Sequence, residues 1–299
     1  MYREIIDFLK MNDVKYKENK KLADISPVKI GAEAELIVYP DNVKVLVELI
    51  CLMKNLNYRY KIAGRMSNLL PPDAKYRGAV IRTDLINGYT ISNNRLTADC
   101  GAVIAALSRV LQKNGLGGFA GLCGIPGSIG GAIVGNAGAF GSEISDYLLQ
   151  VSLFSLAENR ILRLGKSDCG FSYRNSALKS NDFILLSATF DLPFGDPDDI
   201  LAEMNRYKKI RLESQPTDMP SLGSSFKRPC EDISAGYLID KCGLKGRRVG
   251  GAMVSYKHAG FIVNVGGATA EDYIQLSNIV SDSVYESYKI KLIREVEIM

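Results

Sequence analysis

A chain of 299 residues is long enough for two or three domains, each with its own core. Its 37 basic residues against 33 acidic ones leave a formal charge of +4, an excess too small and too dispersed to point to nucleic acid. The six cysteines (Cys51, Cys100, Cys123, Cys169, Cys230 and Cys242) form no CxxC pair, and His258 is the single histidine, which argues against zinc and for reduced thiols in a cytosolic protein.

The first residues mix acids among apolar positions, unlike a signal peptide, and no apolar run approaches the ~18 residues of a membrane span. A soluble, cytoplasmic protein is expected. In chain order, Ile5, Ile6 and Leu9 predict a helix over residues 2–10. A strand at 35–39 leads to a helix carrying Leu46, Leu49, Ile50 and Met53, and further strands are predicted at 58–62 and 79–83. This order describes a small α/β unit. A helix over 102–113 should stop at Gly115, and the glycine-dense stretch that follows reads as irregular. Residues 151–155 and 160–164 flank Ala-Glu-Asn as a hairpin, and 183–192 is a further strand. Asp196-Pro197 then starts a helix to about residue 209. After Gln215-Pro216 come a short helix at 235–241, a strand at 260–265, and a long helix whose Thr269 and Asp272 make a capping box. Residues 291–299 look strand-like.

Two glycine-rich elements carry the chemistry. In the loop Gly64-Arg65-Met66-Ser67-Asn68, backbone amides can converge on a phosphate while Ser67 and Asn68 add side-chain donors. The competing reading is a plain strand-to-loop turn, and the spacing is not that of the Rossmann GxGxxG fingerprint. Residues 121–132, followed by 136–141, are dense enough in glycine to lie against a flat or polyanionic ligand, although a glycine-packed turn would look similar. Together the two elements favour a large nucleotide cofactor.

The run GLCGIPGSIGGAIVGNAGAFGSEISD (residues 121–146) resembles the signature of the UDP-N-acetylenolpyruvoylglucosamine reductase family. Other blocks follow in family order over residues 26–299. The 64–68 loop resembles the flavin pyrophosphate loop, and GFSYRNS (170–176) the FxYRxS block. Gln215-Pro216 with GSSFKRP (223–229) resembles QP…GSxFKxP. AGYLIDKCGLKGRRVG (235–250) and VSYKHAGFIVN (254–264) match further blocks, and Arg294-Glu295-Val296 resembles the closing strand.

The resemblance implies an α+β protein with a vanillyl-alcohol-oxidase-type, two-subdomain FAD-binding fold and a C-terminal substrate-binding domain. The boundaries expected are 1–85 joined by the strand 291–299, then 86–203, then 204–290. The short stretch between Arg174 and Arg211 leaves no room for the tyrosine-bearing insertion of the longer subtype, so the shorter subtype is implied. Non-covalent FAD is the implied cofactor and NADPH the co-substrate, with a UDP-sugar substrate and a monomer that binds neither membrane nor nucleic acid. FAD would be held by Gly64, Arg65, Met66, Ser67 and Asn68, and by Gly121, Gly124, Ile125, Pro126, Gly127, Ser128, Gly130, Gly131, Asn136 and Gly138. Arg174 would hold the substrate carboxylate, Ser224 would protonate C2, and Glu295 would bond the carboxylate or assist the serine. Tyr173, Lys227 and Arg228 would contact substrate, with a solvated charge pair as the alternative for Lys227 and Arg228. Arg228 stands where part of the family has asparagine.

His258 reads as a packed or surface residue, and Tyr256 could be framework. Met66 occupies a position where the family commonly has glycine, so a positive φ there would cost free energy. Ala32 follows Gly31 where a second glycine is common. Two alternatives to the reductase are another flavin oxidoreductase of the same fold and a catalytically inactive flavin-binding homologue.

Overall fold

The computed structural model describes residues 1–180 and 182–299. The chain divides into two compact units, each assembled from separate stretches. Residues Met1–Lys17, Leu36–Arg65 and Gly78–Lys209 form the first, and Glu18–Glu35, Met66–Arg77 and Ile210–Met299 the second.

In the first unit the helices Tyr2–Met11 and Val43–Asn55 bury Ile5, Leu9, Leu46, Leu49, Ile50 and Met53 in one core with Leu36, Val38, Ala79 and Ile81. Their apolar residues recur at helical spacing, and Asn42 caps the second helix by accepting the Val45 N–H at 2.9 Å. Strand Tyr60–Ala63 pairs in parallel with Tyr76–Arg82, in register Tyr60↔Ala79 to Ala63↔Arg82. That sheet has the order Lys15–Lys21, Glu33–Tyr39, Tyr76–Arg82, Tyr60–Ala63. Its first strand, KYKENKK, was not expected. It is an edge strand with almost every side chain exposed, so it shows no apolar alternation, and its lysines discourage further strand addition.

A five-stranded antiparallel sheet follows, in the order Arg160–Gly165, Leu148–Ser155, Phe183–Asp191, Arg95–Asp99, Tyr89–Ser92. The predicted hairpin is present, with Val151 opposite Leu164. The hairpin of Tyr89–Ser92 and Arg95–Asp99 was missed; it turns through Asn93 at φ 56°, a conformation asparagine tolerates. The glycine-dense stretch also differs from expectation, because Ile129–Gly135 is helical. Ile129, Ala132 and Ile133 bury one face of it, and a Cβ on Gly130 would come 3.0 Å from the Cys100 carbonyl. The glycines there permit close packing of a helix rather than marking a loop. The helix begun by Asp196-Pro197 extends to Ser214, beyond the expected end.

The second unit holds an antiparallel sheet in the order Ser221–Ser224, Phe261–Asn264, Ala252–Val254, Arg248–Val249. Its core joins Leu222, Phe226 and Ile262 to Leu238 and Ile239 of helix Ala235–Lys241, and to Tyr273, Leu276 and Val280 of helix Ala270–Tyr288. The expected capping box is formed, Thr269 Oγ1 and Asp272 Oδ2 each accepting the other's backbone N–H at 3.0 Å. Asp73 adds a second cap, accepting from the N–H groups of Ala270 and Glu271 at 2.7 and 2.9 Å. Of residues 291–299, only Glu297–Ile298 is regular strand, parallel to Leu69–Leu70. Among the described residues no helix is long and apolar enough to cross a membrane.

Candidate active site

Strand Tyr60–Ala63 delivers the chain to Gly64, where a Cβ would overlap the Ser128 hydroxyl. Ser128 is 3% exposed, and among the described residues its Oγ has no hydrogen-bond partner. Gly131 is exposed, and among the described residues beyond its own helix backbone a Cβ placed on it would come within 4 Å only of that same Oγ, at 3.7 Å. By contrast Gly121 is needed for internal packing, since its Cβ would meet Ser142 Oγ at 2.9 Å and the Ala139 carbonyl at 3.0 Å. Met66 lies at φ 56° and is 3% exposed, so the departure from glycine does fall on a left-handed position.

Arg174 is built into a tight turn in which Ser172 and Asn175 exchange backbone hydrogen bonds of 3.1 and 3.0 Å. It too is left-handed, at φ 53°. Its guanidinium donates to the Asn136 carbonyl at 3.3 Å and the Gly138 carbonyl at 2.5 Å, and lies 5.0 Å from the centre of the exposed Tyr173 ring. Asn136, fully buried at φ 44°, donates through Nδ2 to Glu143 Oε2 at 2.7 Å and to the Ser172 carbonyl at 3.0 Å. Both partners are acceptors, which fixes the amide orientation and leaves Oδ1 buried with no partner among the described residues.

The remaining candidates lie in the second unit. Strand Ser221–Ser224 is irregular before Ser224, where Gly223 takes φ 79°. The two serines that follow have opposite fates. Ser224 is exposed, whereas Ser225 is fully buried and hydrogen-bonded through its backbone and its hydroxyl oxygen. The Ser225 N–H donates to the Gly260 carbonyl at 2.8 Å, and its carbonyl accepts the Glu295 N–H at 2.9 Å. Its Oγ accepts the Ile262 N–H at 3.0 Å and the Tyr273 hydroxyl at 2.8 Å. Glu295 is half-buried, and its carbonyl accepts from Asn68 Nδ2 at 3.1 Å, so one donor of that amide is used within the protein.

The Lys227 N–H bonds the Ile293 carbonyl at 2.8 Å. Arg228 donates to the Glu231 carbonyl at 3.3 Å and, with Tyr237 and Ser234, lines an open depression of about 650 Å³. Of the packed and surface alternatives for His258, the structure shows packing: Nδ1 accepts the Gly260 N–H at 3.1 Å, the ring meets Phe261 edge-on, and burial lowers its pKa. Tyr273 and Glu143 were not singled out from sequence, and Ser225 was weighed only as the alternative to Ser224 in the GSxFK block. Tyr273 directly follows the capping box, but nothing in the local pattern separates it from an ordinary core tyrosine.

Residues 34–165 match the FAD binding domain, and residues 215–299 match the C-terminal domain of UDP-N-acetylenolpyruvoylglucosamine reductase. The reductase of that name from Caldicellulosiruptor bescii is 41% identical over 292 residues, covering 97% of this chain and 92% of that protein. The chain belongs to the UDP-N-acetylenolpyruvoylglucosamine reductase family. The crystal structure of the enzyme from Thermus caldophilus superposes with a TM-score of 0.80 at 30% identity, covering 95% of this chain and 98% of that one. Berberine bridge enzyme from Eschscholzia californica shares the fold alone, with a TM-score of 0.51 at 14% identity over 64% of this chain and 44% of that one.

As a member of this reductase family the protein is an FAD-dependent oxidoreductase, and its first unit fits that cofactor. Ser128 Oγ is a buried hydroxyl suited to a phosphate oxygen, and Asn136 Oδ1 a buried acceptor suited to an imide N–H. Gly64 and Gly131 leave the space beside Ser128 clear of side chains.

Proposed function

We propose that this reductase uses NADPH to convert UDP-N-acetylglucosamine enolpyruvate to UDP-N-acetylmuramate, in the cytoplasm, as a step in peptidoglycan precursor synthesis. Arg174, Ser224 and Glu295 are proposed to act on the enolpyruvyl group, and FAD to be held non-covalently by the glycine-rich elements. Bound FAD supplies the relay that takes hydride from the nicotinamide and passes it to the alkene. The overall reaction adds hydride at C3 and a proton at C2, and NADPH leaves as NADP⁺.

Negative charge left at C2 delocalises into the adjacent carboxylate, so a cation there and an acid within reach are what the step requires. Arg174 suits the first task. Its planar head is fixed by the Asn136 and Gly138 carbonyls, and a guanidinium presents donors in a rigid fork that matches a carboxylate. Ser224 suits the second. The observation that carries this assignment is the contrast between neighbours: the Ser225 hydroxyl is buried and accepts two hydrogen bonds, while Ser224 is exposed on the irregular end of its strand. Ser224 would give its proton to C2 and recover one from solvent. Glu295, whose N–H is tied to the Ser225 carbonyl, would bond the carboxylate or assist the serine. Arg228, Lys227 and Tyr173 are proposed substrate contacts.

The test is direct. Purified protein should be yellow, release FAD on denaturation, and turn over NADPH beyond one equivalent per flavin only when the enolpyruvyl UDP-sugar is present, yielding a product two hydrogens heavier. NADPH oxidation indifferent to that sugar would favour another oxidoreductase of the fold. A colourless, inert protein would favour a non-catalytic homologue.

A further inference from the structure

Tyr273 has no place in the chemistry above, yet it is among the largest fully buried side chains and spends its hydroxyl on a single partner, Ser225 Oγ. Burial raises its pKa, so the phenol stays protonated and remains a donor at any working pH. The charges that face it are Glu295, which raises that pKa further, and Arg294, which lowers it. Arg294 is itself fastened to the same helix, donating to Ser277 Oγ at 2.7 and 3.0 Å and to Asn278 Oδ1 at 3.0 Å.

Around Ser225 three segments meet. The 225–227 segment runs antiparallel to 293–295, through the Glu295 N–H to Ser225 carbonyl bond, the Lys227 N–H to Ile293 carbonyl bond, and a bridge between Phe226 and Arg294. Ser225 Oγ also takes the Ile262 N–H of the neighbouring strand. The strand before it is irregular between Ser221 and Ser224, with Gly223 at φ 79°, so the register with the neighbouring strand is re-established only at Ser224, opposite Phe261, beside the bonds that Ser225 makes.

We infer that Tyr273 is a positioning residue: by holding Ser225 it sets the offset between Ser224 and Glu295, and so aligns proton donor and carboxylate partner for the second half of the reaction. This rests on the reading of Ser224 and Glu295 given above. Tyr273 touches no substrate. Its hydroxyl acts through Ser225, and its ring is core. Removing the hydroxyl while keeping the ring therefore separates positioning from packing.

The experiment compares Tyr273→Phe, Ser225→Ala and the double variant, beside Ser224→Ala, as FAD-loaded full-length proteins. Flavin reduction by NADPH and reoxidation by saturating enolpyruvyl UDP-sugar are followed separately by stopped flow. Hydrogen exchange of the 293–297 segment is measured on the same proteins without substrate. Tyr273→Phe should slow reoxidation about ten-fold, the scale of one lost hydrogen bond, with KM and NADPH-driven reduction within about two-fold. Exchange in 293–297 should quicken, and the double variant should be no slower than the slower single one. Wild-type reoxidation in Tyr273→Phe, with Ser224→Ala slow, overturns this inference and leaves the active-site reading standing. Wild-type reoxidation in Ser224→Ala overturns the reading itself. Equal slowing of both half-reactions in Tyr273→Phe would mark a merely structural residue and also overturn the inference.

Discussion

Met66 offers a substitution whose outcome depends on two opposed terms. The left-handed backbone at φ 56° costs a residue with a Cβ about 1–2 kcal/mol, which glycine would recover. The side chain, however, is 3% exposed, and deleting a buried methionine costs roughly 2–5 kcal/mol. Met66→Ala keeps the strain and loses the burial, so it should destabilise by the full amount. Met66→Gly loses the same burial but relieves the strain, so it should lie about 1 kcal/mol above the alanine variant and still below wild type. At about 2–4 °C per kcal/mol, the melting temperatures should fall in the order wild type, glycine, alanine, with the two variants separated by a few degrees. Thermal unfolding followed by circular dichroism, at fixed FAD concentration, reads that order. A glycine variant more stable than wild type would refute the burial term, and an alanine variant as stable as the glycine one would refute the strain.

Other consequences follow from local chemistry. Burial pushes the Cys100 thiol up to about 12, while Cys230 is exposed, so a thiol reagent at pH 8 should label Cys230 in the native protein and Cys100 only after unfolding, as peptide mass mapping would show. The Asp272 carboxyl is held below its ordinary range, chiefly by the Thr269 backbone N–H and also by that of Gly251. A depressed carboxyl contributes stability that is present above its unfolded pKa and lost as pH falls through the folded value. Asp272→Asn should therefore melt lower than wild type at pH 7, and the gap should close below about pH 4 in a pH series of melting curves. Arg174→Lys should slow reoxidation by the enolpyruvyl sugar roughly ten-fold or more in stopped flow, with flavin reduction nearly unchanged, because one ammonium cannot reproduce the fork.

Legibility in the sequence followed the physics of each element. Helices Val43–Asn55 and Ala270–Tyr288 could be read because their apolar spacing and caps are local properties. Lys15–Lys21 could not, because an exposed edge strand of charges carries no alternation. Helix Ile129–Gly135 was hidden by glycines that serve its close approach to Cys100. At the site, the resemblance named Arg174, Ser224 and Glu295, and Met66 was suspected of a positive φ. What separates Ser224 from Ser225, however, is burial created by strand Phe261–Asn264 and helix Ala270–Tyr288. Such a distinction arises only when distant segments pack, so around Gly223 the motif resemblance points to Ser224 while the physical reason lies in residues far along the chain.

The proton that reaches C2 is proposed to come from Ser224. Stopped-flow absorbance at the oxidised-flavin band, applied to Ser224→Ala, tests it most directly. Reduction by NADPH should proceed at nearly the wild-type rate, and reoxidation by the enolpyruvyl UDP-sugar should slow by at least ~10²–10⁴, the usual worth of a positioned general acid. Reoxidation of Ser224→Ala at the wild-type rate would rule Ser224 out as the proton donor, whatever the likeness to the reductase family.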